Sequence, residues 1–177
     1  MQANPDFFVR LGEGMMTMAL NNLDRDGYVA FACLLLSKQG EMTPILLETV
    51  NAQSKACLSD MLRMLAPHCG AIVIISEAWT LNDAQAIRSL NGPVAQSSKR
   101  KEGVFVQVGS PLGDLLLTAT FERDAHSRPI RPTEVKAAWQ PENANTNFQN
   151  LFSASASPVA SNDIHAVYSE TSRRVTH

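Results

Sequence analysis

Acidic residues close three apolar runs of this chain. Glu48 follows "TPILL", Glu77 follows "AIVIIS" and Glu122 follows "LLLTATF". A carboxylate held at the end of a strand can bind a divalent cation or move a proton. "PLGD" adds Asp114, and "EVK" adds Glu134 and Lys136. In such a set the acids hold a metal while the lysine helps to activate water. Metal-dependent hydrolysis by Glu77, Asp114, Glu134 and Lys136 is the chemistry these residues would support.

The "EVK" triplet resembles the ExK half of the PD-(D/E)xK nuclease signature, with Asp114 as its acidic half. That pattern sets ExK on a core strand soon after the Asp, whereas here "RPIRPT" comes between. An acid-x-base triplet also arises by chance in a chain of this charge. The preferred reading is therefore structural. Glu77 marks a strand end meeting water, bonded to Trp79 or paired with a Lys or Arg. No catalytic residue is assigned, and the hydrolase stays as the alternative.

Other chemistry finds less support. His68 and Cys69 are adjacent, with Cys57 about three helical turns earlier, a poor spacing for zinc. A histidine at the negative end of a helix dipole explains His68 more simply. His126, His165 and His177 fall in loop or tail. The sequence has no phosphate-binding glycine loop, nucleophile elbow or dinucleotide fingerprint. Neither a metal nor a cofactor is expected. "SSKRKE" (97–102) is the one basic cluster of the main body, and no aromatic residues interleave it for base stacking. With a net charge of −2, this argues against nucleic acid as a partner.

The elements that must carry these residues follow from periodicity. Residues 4–23 read as a helix, with Asn4 as cap, Pro5 in the first turn and Phe8, Leu11, Met15, Met18 and Asn22 at helical spacing. Gly12 and Gly14 weaken it, unless they admit another backbone closely. "YVAFACLLLS" (28–37) and "TPILLETV" (43–50) read as a hairpin. Residues 51–67 form a second helix, with Ala52, Ala56, Met61, Leu62 and Leu65 inward, and Ser54, Lys55, Asp60 and Arg63 outward. Residues 71–81 are a third strand, with Ala71, Val73, Ile75, Glu77 and Trp79 on one face. A short helix is expected over 81–92. "VFVQV" (104–108) and "LLLTATFE" (115–122) make a second hairpin. The prolines of "RDAHSRPIRPTE" break the pattern.

The order helix, hairpin, helix, strand, hairpin gives an α+β fold. The expected architecture is a five-stranded, largely antiparallel sheet packed by two main helices. That element order resembles profilin-like and roadblock-type domains. The globular domain spans 1–139, and an irregular C-terminal arm spans 140–177, rich in Asn, Ser and Ala. In the arm, Phe148, Leu151 and Phe152 lie at helical spacing, and "DIHAVYSE" adds Ile164, Val167 and Tyr168. Apolar anchors in a polar arm are the pattern of a segment that docks in a groove, on a partner or on its own domain.

Charged residues are 18% of the chain against about 25% in an average domain, which suits a protein whose surface is partly covered. Apolar runs fall far short of the ~20 residues of a membrane span, so no membrane association is expected. "MQANPDFF" lacks the features of a signal peptide, and Cys33, Cys57 and Cys69 read as reduced thiols, which together point to a cytoplasmic protein.

The stretch closing on "SEAW" and leading into "KRKEGVFVQV", over residues 71–123, resembles small uncharacterised α+β proteins of bacteria and their phages. That resemblance implies an origin and a small α+β fold, with no activity and no site residues. The function expected from all of this is non-enzymatic. It is protein binding or assembly, as a phage or mobile-element component or an inhibitor of a host protein. The partner is a different protein or a second copy of the chain, and Phe148, Leu151, Phe152, Ile164, Val167 and Tyr168 make the contact.

Overall fold

Asn4 accepts a hydrogen bond from the Asp6 amide at 3.0 Å, and Pro5 opens helix α1, Pro5–Asp26. Gly27 ends it in a left-handed conformation, φ 80°, with its amide on the Leu23 carbonyl. A computed structural model describes residues 4–45, 52–81, 94–139, 148 and 150–152. After α1 come β1 (Ala32–Ser37), β2 (Met42–Ile45), α2 (Ala52–Leu65) and β3 (Cys69–Thr80). Then β4 (Lys101–Ser110), β5 (Gly113–Arg123), β6 (Pro129–Ile130) and β7 (Lys136–Trp139) follow. Short 3-10 turns occupy 66–68 and 94–96. The helix expected over 81–92 lies almost wholly outside the described residues.

The strands form a seven-stranded antiparallel sheet in the order β2-β1-β3-β4-β5-β6, with β7 also on β5. This corrects the five-stranded, profilin- or roadblock-like expectation, while the α+β class and the two helices stand. The two added strands lie in the segment that prolines interrupt. The chain turns back after β5, pairs Pro129 and Ile130 with Arg123 and Glu122, and leaves the ladder around Pro132. It rejoins as β7, with Lys136 opposite Thr118 and Trp139 opposite Leu115. Proline donates no ladder hydrogen bond, so one edge strand becomes two short pieces.

A helix packs on each face of the sheet. On one, α1 packs over Val73, Ile75, Val104, Val106, Val108, Leu115, Leu117 and Ala119. Its buried stripe is Phe8, Gly12, Met16, Ala19, Leu20 and Leu23, so Met18 and Asn22 lie off the core side. Gly12 explains the rotation. A Cβ there would lie 2.6 Å from Leu117 Cδ1 and 3.3 Å from Leu115 Cδ2, so the bare backbone lets the sheet's leucines approach where a side chain would not fit. On the other face α2 presents Ser54, Leu58, Met61, Leu62 and Leu65 to Cys33, Ile72 and Ile74. Ser54 is thus buried and Ala56 exposed, the reverse of the expected assignment. No helix among the described residues is long and apolar enough to cross a membrane.

Candidate functional site

Glu77 lies near the end of β3 on the α1 face. Its carboxylate is engaged. Oε2 accepts from the Val29 amide at 2.9 Å, and Oε1 lies 3.3 Å from Arg123 Nη2. Arg123, at the end of β5, also donates through Nε to Glu102 Oε2 at 2.8 Å, and through Nη1 to the carbonyls of Gly27 and Ser127. The hydrogen bond to Glu102, reinforced by the charges of Glu102 and Glu77, raises the guanidinium pKa despite partial burial. One arginine therefore ties β3, β4 and β5 to the residue that ends α1 and to the turn after β5. Trp79 instead meets Arg100, whose guanidinium carbon sits 4.5 Å from its ring centroid. Glu77 is a tether for the segment leaving α1, and both its oxygens are occupied.

Asp114 opens β5 on the opposite face. Glu77 pairs with Val104, which pairs with Ala119, five residues along β5 from Asp114. Two strand spacings and five residues place the two carboxylates roughly 20 Å apart, with the sheet between them. Lys136 is opposite Thr118, four residues from Asp114 and roughly 13 Å away. Glu134 and Lys136, 4.0 Å apart, line a shallow cleft with Thr118, Thr120 and Thr133. Both are well exposed. Glu122 is exposed and faces Lys101 at 3.4 Å, while Glu48 lies outside the described residues. The four residues of the hydrolase alternative are therefore not brought together. Among the described residues, no three His, Cys, Asp or Glu side chains group as metal ligands would.

Asp114 has a different partner. Its Oδ2 accepts from the Asn150 amide at 2.7 Å, and Gln107 Nε2 donates to the Phe148 carbonyl at 2.8 Å. Burial pushes the Asp114 carboxyl above its ordinary pKa, and the Asn150 amide opposes this in part. Phe148 and Leu151 are buried in the α2-side core, and the Phe148 ring lies 6.0 Å from that of Phe31. Phe152 is half-buried, with its ring over the backbone of Gly109. The first anchor of the arm is thus seated on its own domain, over the polar part of β4 and β5 that α2 leaves open. Ile164, Val167 and Tyr168 lie outside the described residues.

Large apolar side chains stay exposed along the outer edge beyond β5: Ile130 (54%), Val135 (43%) and Trp139 (38%). Among the described residues no strand pairs with the far side of β7. Reading the sequence missed this edge because the prolines hid it. The alternation in "EVKAAW", with a β-branched and an aromatic residue, was its available signal. At the other edge of the sheet, β2 carries Pro44 in its interior, which blunts it against pairing.

Comparison with protein-family models, with curated proteins and with solved structures finds no match to this chain.

Proposed function

We propose that this chain is a non-enzymatic protein-binding or assembly protein whose contact surface is the β6–β7 edge. The observation that carries this reading is the set of Ile130, Val135 and Trp139, exposed on a strand edge that has no partner among the described residues. Helix α1 occupies one sheet face and α2 part of the other, and an edge is where this domain can still offer backbone hydrogen bonds together with apolar anchors. Ile130, opposite Glu122, lies on the α2 side of this edge, and Trp139, opposite Leu115, lies on the α1 side, so large apolar side chains are offered to both sides of the strand. The scattered carboxylates lend no comparable support to hydrolysis.

The arm keeps a part in this reading. Its first anchor fastens residues 148 and 150–152 to the domain, so partner contact by the arm would fall to residues beyond them. The resemblance to proteins of bacteria and phages suggests a particle component or an inhibitor as the setting.

The test is capture followed by reconstitution. A protein retained by the full chain, identified and purified, should bind the purified chain directly. It should bind the triple variant I130S/V135S/W139S at least tenfold more weakly, and Glu77→Gln as well as wild type. Divalent-metal-dependent hydrolysis of phosphodiesters by the purified chain, abolished by Glu77→Gln or Asp114→Asn, would overturn the proposal.

A further inference from the structure

The geometry points to a second copy of this chain as the occupant of the β7 edge, joined by antiparallel pairing across a two-fold axis through Ala137. This deepens the protein-binding reading of that edge and rests on it.

Trp139 pairs with Leu115 and Ala137 with Leu117, and both leucines face α1. Side chains alternate along a strand, so Ala137 and Trp139 share that face and Lys136 and Ala138 share the other; Val135 immediately precedes β7, and extending the strand by that one residue sets it on the Trp139 face. A two-fold axis that joins antiparallel strands into one sheet stands perpendicular to it and sets a residue opposite itself. With Ala137 on the axis, Val135 lies opposite the partner subunit's Trp139, and Trp139 lies opposite the partner subunit's Val135.

The exposed Val135 and Trp139 on the α1 side of this edge thus cover each other twice, while Ile130 lies outside the pairing. The small side chain of Ala137 leaves room at the centre. Aromatic residues opposite β-branched ones are favoured cross-strand pairs. On the second face Lys136 meets the partner subunit's Ala138, so no like charges stand directly opposite. A net charge of only −2 per chain adds little repulsion between copies. No proline lies within Lys136–Trp139, whereas Pro44 disfavours the same arrangement at β2. The contact is short, so the dimer should dissociate on dilution.

The test is light scattering on the full chain from about 10 to about 500 µM, the range in which such a short interface exchanges. The expected mass rises towards twice 19.3 kDa with concentration. The variant V135K/W139K sets lysine opposite lysine and should stay at the single mass. V135K/W139E sets lysine opposite glutamate and should recover the doubled mass at low salt, losing it as salt rises. Both positions are exposed, and unchanged thermal melts would show that the variants fold. Three results would overturn the inference: wild type at the single mass throughout, V135K/W139K as dimeric as wild type, or V135K/W139E no more dimeric than V135K/W139K. A chain that stays monomeric yet binds a different protein through this edge would overturn this inference and leave the binding reading standing. Loss of both would remove the binding reading as well.

Discussion

The side-chain amide of Gln107 donates to the main-chain carbonyl of Phe148 at 2.8 Å, inside the core and across 41 positions of sequence. Two side chains, Gln107 on β4 and Asp114 on β5, thus read the backbone of the arm, while Phe148 and Leu151 fill the space beside α2. The bonds fix where the segment lies, and the apolar burial holds it there.

Removing these groups should therefore destabilise the whole domain. Leu151→Ala should cost about 2–4 kcal/mol and Phe148→Ala about 3–4 kcal/mol, because both leave cavities in a packed core. Phe152→Ala, at a half-buried position, should cost about 1 kcal/mol. Urea denaturation of each variant measures this. A chain ending at residue 139 that unfolds at the same urea concentration as the full chain would show that the docked segment contributes nothing.

Asp114 gives this docking a pH dependence. Its carboxyl pKa is raised in the folded protein, chiefly by burial, so the folded state holds the proton more tightly than the unfolded one. The stability it contributes is complete below the ordinary aspartate value, about 4, and is lost as pH rises through the raised folded value. Asp114→Asn keeps an acceptor for the Asn150 amide without the titration. The stability of wild type relative to Asp114→Asn should fall as pH rises from about 3.5 to neutral, read from paired melting curves. A difference independent of pH would rule this out.

Much of the frame was legible before the structure. The alternation of Ala71, Val73, Ile75 and Glu77 places them on one face because a buried strand allows only one register for its apolar side chains. The first helix was legible in extent but misread in orientation. Glycine carries no apolar signal, yet Gly12 is buried against Leu117 and Leu115 of the sheet. Strands β6 and β7 stayed hidden because proline and short length mask an edge strand that the long neighbour β5 can still template. The role of Asp114 could not be read, since its partner is a main-chain amide 36 residues away. Arg123 drew no notice, because an arginine shows its use only when strand ends converge on it.

That convergence predicts an order of effects at Arg123 and Glu77. The guanidinium and both carboxylates are about three-quarters shielded from solvent. Arg123→Met leaves Glu77 and Glu102 beside each other with no counter-charge, and frees the Gly27 and Ser127 carbonyls. The expected loss is about 2–3 kcal/mol, somewhat reduced by the remaining solvent screening. Glu77→Gln keeps an oxygen for the Val29 amide and should lose about 1 kcal/mol or less. Equal losses from the two changes, measured by denaturant unfolding, would contradict the arginine's role as the hub.

The two glycines of α1 should respond in opposite directions to alanine. At Gly14 an added Cβ meets nothing within 4 Å, so Gly14→Ala gains helix propensity alone and should stabilise by about 0.5–1 kcal/mol. At Gly12 the same methyl group would press on Leu117, which is 1% exposed and packed against α1, and would crowd Leu115 and Val108. Those side chains can shift only into a filled core, so overpacking of about 1–3 kcal/mol exceeds the propensity gain. Gly12→Ala should lower the melting temperature, and Gly12→Val should lower it further. A rise at both positions would mean that α1 lifts from the sheet at little cost, and that its seat over β4 and β5 is looser than the 2.6 Å approach implies.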